Sequence, residues 1–282
     1  MPAVVEHHEH SGASWVLATR HSAPAVRGCV PTYVGYEERS TAPLRRLEVP
    51  HPNITVIINL GAPLMVHAPA LHAPGATYTS FAAGLFDTVA LTESTGDSAG
   101  IELNLTPLGM WQLLGTPMCE LMNTVVSLDA LFGATARALE EQLRNTASWD
   151  QRFDLLDLSL ARRLQRSRIP SAEVQWAWGE LQRAPQSTSV SDIAQELRWS
   201  RRRLTATFRE HVGMTPKAIA RVVRFDRAVR HARAGQHIQW SALAWQCGYA
   251  DQSHLVREFR EFAGLSPTEF LRQQTPTGLA AG

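Results

Sequence analysis

Two stretches of this chain repeat one another. Leu204, Phe208, Arg209, Glu210, Gly213, Met214, Thr215 and Pro216 recur as Leu255, Phe259, Arg260, Glu261, Gly264, Leu265, Ser266 and Pro267, each 51 residues on. Leu and Phe four apart share one face of a helix. The glycine ends that helix in a left-handed residue, and Thr/Ser-Pro opens the next. The last third of the chain is therefore committed to two tandem copies of one helical unit.

Each copy reads as a short helix, a turn of about three residues and a second helix, which is the helix-turn-helix layout. In the first, Ser189 caps a helix with Asp192 three residues on, and Ile193, Ala194 and Leu197 face inward. Ser200 starts the second helix, which stops at Gly213. Thr215-Pro216 opens a long connecting helix through Ile219, Val222, Phe225 and Val229 toward Gly235. A short helix from Trp240 to Cys247 and a longer one from Asp251 to Ala263 form the second copy, and Ser266-Pro267-Thr268-Glu269 starts the last helix.

The second helix of such a unit lies in the DNA major groove and reads base edges from its N-terminal end. With Leu204 and Phe208 inward, Arg202 and Ala206 project the opposite way, flanked by Arg203, Thr205 and Arg209, with Arg201 in the same first turn. In the second copy Ser253 and Arg257 take the outward positions, with Gln252 and His254 beside them. Arg202 and Arg257 each offer a guanidinium for bidentate pairing with guanine, worth about 1–3 kcal/mol of discrimination. They sit at different depths, so an asymmetric DNA site is expected. Arg209 and Arg260 suit phosphate contacts or plain surface charge. The bland alternative for Arg201, Arg202 and Arg203 is a solvated charge run, and their place in the first turn of a repeated second helix argues against it.

Charge is divided along the chain. Residues 171–275 hold 15 Lys and Arg against 10 Asp and Glu, whereas residues 1–170 hold 12 against 16. The formal net charge of +1 conceals this, and only the basic part suits a polyanion. The single Lys217 among 27 cations is read as compositional bias. Cys29, Cys119 and Cys247 show no CxxC spacing and suit free thiols in a reducing cytoplasm. No apolar run is long enough to span a membrane, and the N-terminus lacks the pattern of a secretory signal.

The first two thirds have another texture. Residues 1–12 read as a disordered tail. Strand patterns follow at Gly28–Tyr36, Asn53–Leu60, Thr77–Phe81, Thr88–Thr92 and Gly100–Leu105, the last alternating with period two like a half-buried strand. After Thr106-Pro107 the period turns helical, with a short helix over Leu108–Leu114 and long ones over Leu128–Asn145 and Phe153–Arg168. Ile169-Pro170-Ser171 marks the boundary. The expected fold is α+β in two domains. A β-rich N-terminal domain over 13–168, barrel or sandwich with trailing helices, precedes an all-α domain over 171–275.

The C-terminal third resembles the DNA-binding domain of the AraC/XylS family of transcriptional regulators. The residues that carry the resemblance are Ile193-Ala194, Leu197, Ser200, Leu204, Phe208 and Gly213-Met214-Thr215-Pro216, then Arg224-Phe225 and Ala228. Leu243-Ala244, Cys247-Gly248-Tyr249, Asp251-Gln252-Ser253-His254-Leu255, Phe259 and Gly264-Leu265-Ser266-Pro267 complete it. The resemblance implies two helix-turn-helix units entering successive major grooves, with base contacts at Arg202, Thr205 and Ala206 and at Gln252, Ser253 and Arg257. Two residues depart from the family. Arg198 stands where the first turn often has Gly, and Ala206 replaces a contact position that is often polar.

The family also implies an N-terminal domain, often a cupin-like barrel, that senses a ligand or dimerises. The helices from Leu128 to Arg168 are the expected dimerisation surface. Trp15, Tyr33, Tyr36 and Trp111 could line a ligand pocket but read first as core. Glu6-His7-His8-Glu9-His10 in the tail could bind a metal but reads first as a solvated segment, and His51, His67 and His72 in turns lack the close spacing of a metal site. No catalytic residue, metal or cofactor is expected. The expected partners are double-stranded promoter DNA, a small-molecule effector, a second copy of the chain as a homodimer, and RNA polymerase, with no membrane. The rival readings are a constitutive dimeric DNA-binding protein and a cupin-type enzyme with a helical appendage.

Overall fold

A computed structural model describes residues 2–10, 12–68, 75–183, 189–235 and 238–273. The β part holds β1 (Val4–His10), β2 (Ala13–His21), β3 (Thr32–Ser40), β4 (Leu44–Glu48), β5 (Ile54–Asn59), β6 (Leu64–His67), β7 (Ala76–Tyr78), β8 (Phe81–Ala83), β9 (Ala90–Ser94), β10 (Asp97–Leu105) and β11 (Val125–Ser127). They form two antiparallel sheets, ordered β1-β2-β3-β10-β5-β8-β11 and β4-β9-β6-β7. β3 runs into β4, β5 into β6, β7 into β8 and β9 into β10, so four long segments each cross from the large sheet to the small one. Both sheets then list these segments in the same order. That is a double-sheet jelly roll, the architecture of cupins, and it resolves the choice between barrel and sandwich.

The expected disorder over 1–12 does not hold. β1 pairs with β2 along its whole length, from Val4 opposite Thr19 to His10 opposite Ala13, and the ring of His8 stacks on Trp15 at 5.3 Å. Alternation is faint there because β1 buries neither face.

The period-two strand β10 shows how the two faces of the large sheet divide. Ile101, Leu103 and Leu105 join Val56, Ile58 and Tyr33 in the main core, beneath α1 (Pro107–Leu114), α2 (Leu128–Phe132), α3 (Ala134–Arg144) and α4 (Trp149–Leu164). Each such aliphatic side chain contributes about 1.5–3 kcal/mol on burial. Ser98 and Glu102 face the other way, with Tyr36, Thr55 and Ile57, onto the small sheet. The polar half of the alternation thus points into the jelly roll and not to bulk water.

Helix α4 is fastened to this sheet by charge as well as packing. Arg20 on β2 donates to Asp154 at 2.7 Å and to Asp157 at 2.8 Å. Asp157 also accepts from the Tyr33 hydroxyl and the Ala23 amide, each at 2.8 Å. Gly35 leaves room for the Trp149 ring, which would lie 2.3 Å from a β-carbon there. The single helix expected over Leu128–Asn145 is broken at Gly133, whose φ of 60° and ψ of −141° no helix accepts.

The C-terminal part is α5 (Ala172–Arg183), α6 (Val190–Glu196), α7 (Arg201–His211), α8 (Pro216–Ala234), α9 (Trp240–Gln246), α10 (Gln252–Ala263) and α11 (Pro267–Gln273). The caps read from sequence are present. Thr106, Ser200 and Thr215 accept from the amides three residues on, and Ser189 with Asp192 forms a capping box. His72 lies outside the described residues. Among the described residues no helix is long and apolar enough to cross a membrane, and no group of three or more His, Cys, Asp or Glu is placed to hold a metal.

Candidate nucleic-acid interface

α6 and α7 make the first helix-turn-helix, α9 and α10 the second. Leu204, Phe208, Leu255 and Phe259 are fully buried, and this fixes the rotation of both second helices. Arg201, Arg202, Arg203, Ala206 and Arg209 are exposed on α7, with Thr205 half-buried. Gln252, Ser253, Arg257 and Arg260 are exposed on α10. The outward face drawn from the repeat is therefore the solvent face of both helices.

Within that face the arginines are not equivalent. Arg201 donates to Ser191 Oγ on α6 at 2.7 Å. Arg203 lies over the Trp199 ring at 4.2 Å, a cation–π contact worth about 0.5–1 kcal/mol at an exposed site. Both brace their own unit. Among the described residues the side chains of Arg202 and Arg257 make no hydrogen bond or ion pair, so both are uncommitted. His254 is half-buried, edge-on to the Tyr249 ring at 5.2 Å, and its Nδ1 faces the Ala250 amide at 3.4 Å. It is occupied within the fold.

The turns explain the odd residue Arg198. It has φ of 54°, and Gly248 in the second turn has φ of 77°. Trp199 N–H donates to the Ala194 carbonyl and Tyr249 N–H to the Ala244 carbonyl, both at 2.8 Å. The two turns share one left-handed conformation, and Arg198 adopts it without glycine's freedom. This pairing also refines the repeat. The first helices and turns match at an offset of 50, the second helices at 51, because Ala250 is extra before the cap Asp251.

The connecting helix clamps the second unit. Arg221 Nε and Arg224 Nη2 donate to the same oxygen of buried Glu258, at 2.9 and 2.7 Å, and Arg221 also reaches Glu261 at 2.5 Å. Carboxylates at Glu258 and Glu261 hold the Arg221 guanidinium well above its ordinary pKa. On its other side α8 reaches α5, Arg227 donating to the carbonyls of Gln182 and, at 2.8 Å, Arg183. Nothing in the sequence marks Glu258 as the partner of residues 37 and 34 positions earlier.

The family described as a helix-turn-helix domain matches residues 193–273, from the buried Ile193 of α6 to the end of α11. The C-terminal domain is an AraC-type DNA-binding domain. Among curated proteins nothing matches the chain. Among solved structures, an apo variant of ToxT from Vibrio cholerae strain SCE256 is similar, with TM-score 0.47 and 14% identity over 84% of this chain and 99% of that one. ToxT of the same strain bound to an unsaturated fatty acid gives TM-score 0.47 and 13% identity over 85% and 98%. The C-terminal domain of AraT, a response regulator from Geobacillus stearothermophilus, gives TM-score 0.35 and 19% identity over 39% and 91%.

Among the described residues the AraC-type domain meets the jelly-roll part at several places. His211, at the end of α7, stacks on Trp111 of α1 at 4.4 Å. Gly213, with φ of 99°, lies over the 3-10 turn Met118–Leu121, where a β-carbon would come 3.0 Å from the Met118 carbonyl oxygen. At the end of α8, Arg233 lies close enough to His51 and Glu48 for its charge to act on the first and the second on it. The contacts at Trp111 and Met118 hold the C-terminal end of α7, and leave its Arg202 end, about 14 Å away along the axis, free.

Between the two sheets lies a cavity of about 110 Å³ lined by Tyr36, Arg46, Glu48, His51, Phe81 and Glu102 among others. A chain of polar contacts crosses it. His51 Nε2 meets the Thr55 hydroxyl at 3.1 Å, Thr55 donates to Asn104 Oδ1 at 3.1 Å, and Asn104 donates to Glu102 at 2.8 Å. Burial, then the charge of Arg233, presses the His51 pKa down to about 4. Burial, then neighbouring Glu48, raises Glu102 to about 7. Of the four aromatic residues considered for a pocket, Tyr36 lines this one. Tyr33 stacks on Phe153 behind the sheet, and Trp111 meets His211.

Proposed function

We propose that this AraC-type regulator reads an asymmetric promoter site through α7 and α10, and that an effector in the jelly-roll cavity alters that reading. One observation carries the first part. Arg202 and Arg257 are exposed and uncommitted, yet they stand a turn apart in register on two otherwise matching helices. Thr205 and Ala206 beside Arg202, and Gln252 and Ser253 beside Arg257, complete the base-facing surfaces. Arg209 and Arg260 flank them toward the phosphates, while Arg201 and Arg203 hold the scaffold.

The second part is supported by Arg233. It belongs to the helix that joins both reading heads, and its charge acts on His51 and is acted on by Glu48, two residues of the cavity wall. A ligand that moves either one changes the surroundings of Arg233, and with it the seat of α8.

The protein acts in the cytoplasm, as a homodimer paired through the outer faces of α3 and α4, with RNA polymerase at the promoter and no chemistry of its own. Selection of bound duplexes from a random pool by the full-length chain tests the reading directly. Two unlike half-sites on one face of the DNA support it, and two identical half-sites per protomer contradict it.

A further inference from the structure

The charges around the jelly-roll cavity do not balance pair by pair. Three carboxylates stand there: Glu38, Glu48 and Glu102. Glu38 is satisfied at both oxygens, one on Arg46 and the other accepting from Ser98 at 3.0 Å. Glu48 accepts from the Thr92 hydroxyl at 2.9 Å and lies within reach of the Arg233 charge. Glu102 accepts from the Asn104 amide and, among the described residues, forms no ion pair; the cation that acts on it is Arg46, which is already bonded to Glu38. It is a half-buried acid without an ion pair, and loss of hydration in the cavity wall favours a proton or a counter-ion on it.

The rest of the wall describes what else the occupant must be. Ile57, Leu64, Val66, Phe81 and Phe86 give it apolar sides. The volume of about 110 Å³ approaches that of an engineered cavity of about 150 Å³ that takes benzene. Arg46 also lines the cavity, its guanidinium bonded to Glu38 and its Nε–H buried without an acceptor. An anion would meet both Glu48 and Glu102. A neutral molecule would leave Glu102 holding a proton.

We propose that the jelly-roll cavity binds a small organic cation, an ammonium group on an apolar body near the size of one aromatic ring, with Glu102 as its counter-ion. This rests on the reading of the cavity as the effector site. Binding displaces the Glu102 proton to solvent and forms an ammonium–carboxylate pair, and no covalent bond changes.

The test is calorimetric titration of the full-length chain at pH 8 with benzylammonium, benzyl alcohol and benzoate, which share one body and differ in charge. Benzylammonium should bind at least about tenfold tighter than benzyl alcohol, with benzoate weakest. Glu102→Gln should erase that preference. In the wild-type chain, benzylammonium affinity should rise from pH 6 to pH 8 as Glu102 gives up its proton, which needs no variant. Binding of the three probes without preference for the cation, or a preference that survives Glu102→Gln or is flat with pH, overturns the ligand class alone. Failure of all three to bind overturns the cavity reading as well.

Discussion

The imidazole of His211 lies against the indole of Trp111 with ring centroids 4.4 Å apart, and this contact joins the end of the first reading helix to the jelly-roll part. His211 Nδ1 is fixed by the Thr207 carbonyl at 3.0 Å, so the ring arrives already oriented. A double-mutant cycle over His211→Ala and Trp111→Ala, followed by urea unfolding, should return a coupling of about 0.5–1.5 kcal/mol, as aromatic pairs do beyond their buried area. Strictly additive effects would mean that the two parts do not meet there in solution.

Arg198 holds a left-handed backbone with φ of 54°, a conformation that costs an L-residue about 1–2 kcal/mol. Glycine avoids that cost but is freer in the unfolded chain. Arg198→Gly should therefore stabilise the protein by about 0.5–1 kcal/mol, seen as a rise in the urea midpoint at constant slope. The reciprocal Gly248→Arg should destabilise by a similar amount.

Two cavity residues set opposing pH dependences. The His51 pKa is lowered to about 4 in the folded chain, below its ordinary value of about 6.5. The unfolded chain then binds the extra proton, and stability falls as pH drops from 6.5 to 4. The Glu102 pKa is raised to about 7, so the folded chain binds the extra proton, and stability falls as pH rises from about 4.5 to 7. Across about pH 4.5–6.5 the two cancel, each with a limiting slope of about 1.4 kcal/mol per pH unit. Relative to wild type, His51→Gln should lose stability as pH rises through that window and Glu102→Gln should gain it. Denaturation curves at pH 4.5, 5.5 and 6.5 give both slopes.

Glu258 is buried between Arg221 and Arg224, its side chain 3% exposed. Glu258→Ala leaves Arg224 without its carboxylate and Arg221 with Glu261 alone, and should destabilise the chain by about 3 kcal/mol. Because α8 and α10 separate there, the first helix-turn-helix should keep its base preference while the second loses contact. A footprint that shortens from one side is the expected readout.

Much of the AraC-type domain could be read in the sequence because its signals are local. Leu204 with Phe208, Gly213, and Thr215 with Pro216 each fix a face, a stop and a start within a few residues. The extra Ala250 escaped notice because the repeat is clearest after it. The jelly roll was harder. The strands Val4–His10 and Ala13–His21 pair with each other in an edge ribbon that carries little apolar alternation, and Glu102 alternates like a solvent-facing residue while lining a cavity. Ion pairs such as Arg221–Glu258 and the approach of Arg233 to His51 have no local signature at all.

Arg260 is exposed on the flank of α10. Arg260→Ala should weaken binding to all sequences alike and reduce the slope of log affinity against log salt by about 0.9. It provides the sequence-independent baseline for the base-reading positions.

The central claim is that the two reading helices differ where Arg202 and Arg257 stand. The direct measurement is selection of bound sequences by the wild-type chain, Arg202→Ala and Arg257→Ala at fixed salt. Each variant should lose base preference in one half of the site only, a different half for each, at a cost of about 1–3 kcal/mol against the preferred base. If both variants lower affinity uniformly and leave the selected sequence unchanged, the assignment of these helices' reading faces is wrong.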